Sequence, residues 1–150
     1  LVAERLDRSD CARGFLLDGY PRNLDQANAL ARVLAGLHAP LSTVLYLEVR
    51  DEAIVRRISG RRTCSECGAI YHVDGRKPAR EGVCDRCGGD VIQREDDTEA
   101  LVRERLRVYR ENTEPLVRHY GAQGKLKRID GERTIDEVAQ DVLSAVEDAA

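Results

Sequence analysis

Four cysteines arranged as two short hooks constrain this chain more than any other sequence feature. Cys64 and Cys67 form one Cys-x-x-Cys hook, and after sixteen intervening residues Cys84 and Cys87 form the second. Four thiolates at this spacing are the ligand set of a closed tetrahedral Zn²⁺ site, which leaves no coordination position open for a catalytic water. The pattern predicts a structural zinc ion, with two disulfides or four incidental thiols as the alternatives.

The segment that carries both hooks, residues 61–94, is poor in aliphatic residues and rich in glycine. A segment of this kind buries too little apolar surface to hold itself together, so we interpret it as a small inserted subdomain of short strands and turns, stapled by the metal. It contains seven basic and five acidic residues, and its net charge falls to zero once four thiolates and Zn²⁺ are included. A neutral zinc ribbon binds nucleic acid backbones poorly, although a non-catalytic zinc-ribbon binding module stays open as an alternative function.

The chain as a whole, with 150 residues, 24 basic and 27 acidic side chains, has the composition of one soluble globular domain. Its longest uncharged stretch, residues 33–47, is too short and too interrupted to span a membrane, which takes about 20 apolar residues. The net charge of −3, with one Phe and no Trp, does not favour nucleic acid as a partner. The fifth cysteine, Cys11, stands apart, and an odd cysteine number favours a reducing cytoplasm over a secreted disulfide framework.

Apolar runs suited to buried strands alternate with helical patterns along the rest of the chain. Strands are predicted at residues 15–17, 43–49 and 126–130. Helices are predicted at residues 1–6, 23–37, 51–58, 97–120 with a break before Pro115, and 134–149. The alternation predicts an α/β fold with a parallel sheet. The predicted organisation is a first core part at 1–60, the inserted subdomain at 61–94 and a second core part at 95–150.

Several side chains are predicted to begin these helices or to mark their buried faces. Asn23 with Gln26, and Thr134 with Glu137, have the spacing of capping boxes, and Asp51 is predicted to cap the helix that follows it. The buried side of the 97–120 helix is predicted to comprise Leu101, Val102, Leu106, Val108 and Tyr109. One apolar stripe runs along the last helix through Ile135, Val138, Ala139, Val142, Leu143 and Val146.

The residues after the first predicted strand are candidates for ligand binding. In parallel sheets, ligands bind beyond the carboxyl ends of the strands, which is where Asp18, Gly19, Pro21 and Arg22 lie. The carboxylate of Asp18 stands where nucleotide-binding proteins hold Mg²⁺, although it is equally suited to capping the turn.

Five arginines form a second candidate set: Arg22, Arg57, Arg61, Arg94 and Arg105. Guanidinium forks match phosphate oxygens, and converging forks suit phosphoryl transfer. Arg61 and Arg94 stand at the two ends of the inserted subdomain, whose base would bring them together, and Arg105 is predicted to be partly buried. The alternative is that the arginines form salt bridges with the carboxylates of residues 95–97.

These motifs together resemble a known family. The run Gly-Phe-Leu-Leu-Asp-Gly-Tyr-Pro-Arg at 14–22, followed by Gln26-Ala27, closely resembles the adenylate kinase signature. Residues 58–62 resemble the entry to that family's LID, residues 64–87 its zinc-bearing bacterial form, and residues 94–106 the LID exit and the helix after it. The resemblance covers essentially the whole chain. It implies a P-loop-kinase-like three-layer parallel sheet, incomplete here, with a small zinc-bound β LID inserted.

The resemblance also implies an activity, ligands and residue roles. The activity is the reversible reaction ATP + AMP ⇌ 2 ADP with Mg²⁺, carried out by a monomer in adenine nucleotide homeostasis. AMP binding is implied for Gly19, Tyr20, Pro21, Arg22, Gln26, Arg94 and Arg105. ATP binding is implied for Arg57, Arg61, Ile70, Tyr71 and Arg133. The catalytic set it implies is Arg22, Arg61, Arg94, Arg105 and Asp18, the last holding the Mg²⁺ shell.

One departure from the family pattern bears on activity. No Gly-x-x-x-x-Gly-Lys-[Ser/Thr] phosphate cradle occurs in these 150 residues. The family's cradle and AMP-binding insert would both precede Leu1, so the sequence resembles the C-terminal two-thirds of an adenylate kinase. We expect the chain by itself to be inactive or nearly so, because the cradle stabilises the transferring phosphates. A kinase for another nucleoside monophosphate, or a nonfunctional truncation product, are the remaining alternatives.

Overall fold

The computed structural model describes residues 1–149 and shows a mixed α/β protein. Its helices are α1 (Val2–Leu6), α2 (Leu24–Gly36), α3 (Asp51–Ser59), α4 (Glu99–Asn112), α5 (Pro115–Ala122) and α6 (Ile135–Glu147), with short 3-10 helices at Ser9–Arg13 and Glu95–Asp97. Its strands are β1 (Val44–Glu48), β2 (Arg61–Cys64), β3 (Ile70–His72), β4 (Val91–Ile92) and β5 (Leu126–Asp130). Within the described residues, no helix combines the length and the apolar character that crossing a bilayer requires.

The chain divides into two compact units. The first comprises residues 1–48 together with residues from 108 onward, and the second comprises Val49–Arg107. The second unit therefore contains the whole inserted subdomain together with α3 and the start of α4. The three-part division at residues 60 and 94 stays a prediction, since compactness alone does not define where the inserted subdomain begins and ends.

A parallel pair of strands lies at the centre of the first unit. β1 and β5 pair in parallel register from Val44↔Leu126 to Glu48↔Asp130. Ile129 of β5 is buried, and β5 packs against α5 and α6. This arrangement confirms two of the three predicted strands and the α/β class with a parallel sheet, because a parallel pair needs helical crossovers of this kind.

The prediction of a strand at residues 15–17 was wrong. These residues form neither helix nor strand; Phe15 and Leu17 pack against the cluster of Leu6, Leu30 and Leu34, whereas Leu16 is 77% exposed. A strand is defined by hydrogen bonds to a neighbour, and the only sheet partner of β1 among residues 1–149 is β5. Phe15 and Leu17 therefore contribute to an apolar cluster without joining a sheet.

The helix starts show which capping residues the chain uses. Asn23 accepts a hydrogen bond from the Gln26 backbone N–H at 2.9 Å, as predicted, but the Gln26 side chain reaches Arg22 rather than Asn23. Thr134 and Glu137 form the predicted reciprocal capping box. The prediction that Asp51 caps α3 was wrong: Asp51 is the first helical residue, and it complements the helix dipole there.

The break before Pro115 is confirmed, since α4 ends at Asn112 and α5 begins at the proline. On α4, Val102 is buried, but Leu101 and Val108 are exposed, so their predicted burial was wrong. Neighbouring residues on a helix point about 100° apart, and both members of such a pair rarely face one core. α6 contacts β5, but the predicted burial of its apolar stripe was wrong for most of the stripe: Val138 and Val142 are half-buried, whereas Ile135, Ala139, Leu143 and Val146 are exposed.

In the second unit, the inserted subdomain consists of short strands and turns, as predicted. Its three strands form an antiparallel sheet in the order β3-β2-β4, with Arg62 opposite Tyr71 and Cys64 opposite Val91. Its buried cluster comprises only Cys64, Tyr71 and Cys84. Partly buried Cys67, Ala69 and Val91 pack against this cluster, so the hydrophobic core of the subdomain is very small.

The glycine that joins α3 to β2 has no room for a side chain. A Cβ at Gly60 would overlap the His72 ring and lie 2.9 Å from the Arg56 carbonyl oxygen. We expect Gly60→Ala to lower the free energy of unfolding of the second unit by about 1–3 kcal/mol, because the ring or the backbone has to shift. Denaturant titration with excess zinc measures the effect. Gly36→Ala is the control, since open space surrounds that position, and equal stability of the two variants would contradict the expectation.

Candidate functional site

The four hook cysteines converge on one point in the second unit. Cys64 Sγ lies 3.4 Å from Cys87 Sγ, Cys67 Sγ lies 3.6 Å from Cys84 Sγ, and all four sulfurs lie within 4.8 Å of one another. A disulfide bond is about 2.05 Å long, so these are unpaired thiols. A tetrahedron with metal–sulfur bonds of about 2.3 Å has edges of about 3.8 Å, so the four sulfurs fit Zn²⁺.

Both hooks are built by the same backbone turn. The Gly68 N–H donates to the Cys64 carbonyl at 3.1 Å, and the Gly88 N–H donates to the Cys84 carbonyl at 2.9 Å. Both glycines have a left-handed φ, which L-residues with a side chain rarely adopt. A glycine after each hook therefore lets the backbone close the turn that brings its two cysteines together.

The Tyr71 side chain lies beneath the cysteine cluster, a placement that sequence analysis missed. It is 2% exposed, and its hydroxyl lies 3.4 Å from Cys84 Sγ. The hydrogen bond from this hydroxyl lowers the pKa of the Cys84 thiol to about 6, which favours the metal-binding thiolate. Ile70, the preceding residue, is exposed. Contact of both residues with ATP stays a prediction.

In the first unit, three hydrogen bonds hold Arg22 in the loop before α2. Its Nε donates to the Gly19 carbonyl at 2.7 Å, its backbone N–H donates to Gln26 Oε1 at 2.8 Å, and its carbonyl accepts from Thr113 Oγ1 at 2.9 Å. The Tyr20–Pro21 peptide is cis, and Gly19 has a left-handed φ of 66°. Arg22 as a whole is exposed to solvent. Thr113 had no sequence signal, because it reaches the loop across 91 residues.

In the second unit, three arginines gather around two aspartates. Arg61 donates to both carboxylate oxygens of Asp97, at 2.9 and 2.5 Å, and Asp97 is completely buried. Arg94 donates to Asp96 at 2.9 Å, and Arg105 lies 4.0 Å from the same carboxylate. The pKa of Asp97 is held below its ordinary value, first by the Arg61 hydrogen bond and further by the charges of Arg94 and Arg105.

This cluster confirms that the base of the inserted subdomain brings Arg61 and Arg94 together. It also confirms the alternative prediction of salt bridges, because both arginines pair with aspartates of the 95–97 segment. The predicted partial burial of Arg105 was wrong, since its side chain is 58% exposed. Position along the helix placed it between the buried and exposed faces, and the structure places it on the exposed one.

The remaining predicted ligand-binding residues lie on the surface. Asp18 is exposed in the loop after residue 17, and Arg57 is exposed on α3. Arg133 donates to Glu137 and Asp141 of α6. Their nucleotide-binding roles stay predictions.

Gln93 has a structural role that sequence analysis missed. Its Nε2 donates to the carbonyls of Ser59 at 2.9 Å and Asp97 at 3.1 Å. One side chain thus connects the chain entering the inserted subdomain with the chain leaving it. A single glutamine outside any motif carried no signal for this connection.

Comparison with known proteins identifies the family. The adenylate kinase family matches residues 1–125. Adenylate kinase of Syntrophotalea carbinolica is 49% identical over 97% of this chain and 68% of its own length. Adenylate kinases of Desulfitobacterium hafniense and Caldicellulosiruptor bescii are 46% and 49% identical, over 98% and 97% of this chain and 68% of their own lengths. The loop around Arg22 and the four-cysteine subdomain are consistent with this similarity, which covers nearly the whole chain. The chain belongs to the adenylate kinase family.

Proposed function

We propose that the chain supplies the AMP-binding loop and the zinc-bearing arginine subdomain for reversible phosphoryl transfer between ATP and AMP, which forms two molecules of ADP, and that these residues need a P-loop phosphate cradle for activity. The observation that supports this most directly is the preset position of Arg22. Its backbone is held at both polar groups and its Nε is held by Gly19, so the Nη atoms are the part left to meet a ligand. A guanidinium oriented in advance loses little freedom when it binds the oxygens of a phosphate.

The AMP-binding role of the loop extends to the residues around Arg22. The Oε1 atom of Gln26 is occupied by the Arg22 N–H, so its Nε2 amide is the end that remains to donate to a base. Gly19, Tyr20 and Pro21 would shape the pocket edge beside it. In this proposal Arg22 binds the AMP phosphate and Gln26 distinguishes adenine from other bases.

The arginines of the second unit would act on the phosphates of ATP and on the transferred phosphoryl group. Arg61, Arg94 and Arg105 face two aspartates, so their contacts leave an excess of one positive charge for an anion. Phosphoryl transfer depends on positioning and charge neutralisation rather than on a covalent nucleophile, which suits a set of arginines. Arg57, Arg133 and the backbone of residues 70–71 would contact the nucleoside part of ATP.

Metal ions would have two separate roles. Zn²⁺ in the four-cysteine site would be structural, since four protein ligands leave no open position for chemistry. Mg²⁺ would bind together with ATP, and the Asp18 carboxylate would bind the water molecules that surround this Mg²⁺ ion. Four metal-binding thiols require a reducing compartment, which supports a cytoplasmic location. In this proposal the protein acts as a monomer and needs no nucleic acid, membrane or other protein as a partner.

Nucleotide binding by the intact chain tests the proposal. We expect Arg22→Ala to weaken AMP binding about 10- to 100-fold in calorimetry, because it removes charge-assisted hydrogen bonds to the phosphate. Arg32→Ala, an exposed arginine on α2, is the matched control and should leave AMP affinity unchanged. Equal AMP affinity in the Arg22→Ala variant and the original chain would disprove the role of Arg22.

The same titrations separate the alternative functions. Preference for GMP, CMP or UMP over AMP would indicate a different nucleoside monophosphate kinase, and Gln26→Leu should erase whichever preference exists. Binding of single-stranded polynucleotide that falls steeply with salt would indicate a zinc-ribbon module instead. A coupled assay for ADP, with and without an added P-loop segment, measures how far catalysis depends on a phosphate cradle.

A further inference from the structure

The position of Tyr71 links the two cysteine hooks to one another. Its backbone pairs with Arg62 on β2, two residues before Cys64 of the first hook. Its ring is fully buried and packs with Cys64 and Cys84, and its hydroxyl reaches Cys84 of the second hook. One side chain therefore spans from the strand that carries one hook to the sulfur of the other.

The direction of the hydrogen bonds at the Tyr71 hydroxyl follows from its neighbours. The Asp85 backbone N–H lies 2.8 Å from Tyr71 Oη, and a backbone N–H can only donate. The phenolic hydrogen must then point to a different atom, and Cys84 Sγ lies 3.4 Å away. The hydroxyl thus accepts from the residue after Cys84 and donates to the sulfur of Cys84.

Other contacts hold this hydroxyl in place. The Arg76 guanidinium lies over the Tyr71 ring, 5.6 Å from its centroid. The Asp85 side chain accepts from the Ala79 N–H at 2.9 Å, which fixes the backbone that donates to Tyr71. The sulfur of Cys84 also accepts from the Arg86 N–H at 3.4 Å. Because Tyr71 is buried and its backbone is paired with β2, its ring has little freedom to move its hydroxyl away from Cys84.

We infer that Tyr71 is a positioning residue of the metal site. Its hydroxyl donates to the Cys84 sulfur, holds the second hook in register with the first and lowers the electron density that this sulfur gives to the metal. Groups that orient metal ligands from behind commonly change metal affinity by 10- to 100-fold. The inference rests on the four-cysteine site binding a metal and does not depend on the phosphoryl-transfer reaction.

Tyr71→Phe in the full chain tests the inference, since phenylalanine keeps the ring and removes only the hydroxyl. We expect Zn²⁺ affinity, measured by competition with a chromophoric chelator, to fall about 10- to 100-fold. In the Co²⁺-loaded chain, the sulfur-to-cobalt charge-transfer band should move to lower energy, because the Cys84 thiolate is no longer a hydrogen-bond acceptor from Tyr71. Tyr46→Phe, in the first unit, is the control and should change neither quantity.

Two results would overturn the inference. One is a Tyr71→Phe chain whose Zn²⁺ affinity stays within twofold of the original. The other is a weaker affinity with an unmoved cobalt band, which would mean that Tyr71 contributes packing alone.

A second measurement needs no mutation and so avoids any folding defect. Tyr71 is the only tyrosine of residues 49–107, so a chain made with 3-fluorotyrosine changes one phenol near the metal. Fluorine makes that phenol a stronger donor, and the cobalt band should move to higher energy. An unmoved band in the fluorinated chain would contradict the inference even if the Tyr71→Phe chain takes up no metal.

Discussion

Removing the metal from the four-cysteine site unfolds the inserted subdomain. We expect this result because the buried cluster of residues 61–94 consists of Cys64, Tyr71 and Cys84, and Cys64 and Cys84 belong to the candidate metal-ligand set. In small domains of this kind, binding of zinc supplies apparent free energies of about 10–16 kcal/mol, which is the free energy of folding itself. The parallel β1–β5 pair and its helices have their own apolar clusters and should stay folded.

Hydrogen exchange measured by mass spectrometry, before and after chelation, checks this expectation peptide by peptide. Protection should disappear from residues 61–94 and persist at β1 and β5. Cys84→Ser should reproduce the effect of the chelator, because a serine hydroxyl is a poor ligand for zinc. Cys11→Ser is the matched control, since Cys11 lies outside the cluster. Unchanged protection of residues 61–94 in the metal-free chain would show that the inserted subdomain folds without the metal.

Asp97→Asn lowers the free energy of unfolding of the second unit by about 3 kcal/mol. Asp97 is completely buried and receives two hydrogen bonds from Arg61. Removing one charge of a buried pair leaves the other charge poorly compensated, at a typical cost of about 3–5 kcal/mol. The lower end applies here because the Arg61 side chain keeps some exposure to water.

Denaturant titration with excess zinc measures this effect, and Asp96→Asn is its control. Asp96 pairs with Arg94 at the surface, where such pairs contribute less than about 1 kcal/mol. The pH dependence gives a second check. Because the pKa of Asp97 is lower in the folded chain, its stabilisation is complete above the ordinary carboxyl range and is lost as the pH falls through and below that range. Similar losses in the two variants would contradict a special role for Asp97.

Short-range patterns were the part of this protein that sequence alone predicted well. The spacing of the hooks predicted the cysteine cluster, because two residues between cysteines fix a single tight turn. The Thr134–Glu137 capping box and the break before Pro115 are equally local. The segment at residues 15–17 shows the limit, since a buried apolar run has the same composition whether or not a neighbouring strand pairs with it.

In the candidate site as well, local motifs were predicted from the sequence, whereas long-range contacts were not. The Asp18–Arg22 loop and the arginines at the ends of the inserted subdomain were found from motifs and their positions. The partners that orient them were not: Thr113 reaches Arg22 from a distant helix junction, and Gln93 joins Ser59 to Asp97. Nothing in the sequence distinguishes these two side chains from the many other polar residues on the surface.

By itself, the sequence determined the candidate metal-ligand set of four cysteines, the signature loop, the family and several local starts and ends of helices. Each of these depends on residues a few positions apart, where backbone geometry leaves few possible arrangements. Tertiary structure alone decided that Tyr71 contacts the cysteine cluster, that Asp97 among residues 95–97 is the buried partner of Arg61, and that residues 15–17 pack on an apolar cluster without forming a strand. Those outcomes depend on which distant groups compete for one side chain, and that competition is settled by packing in three dimensions.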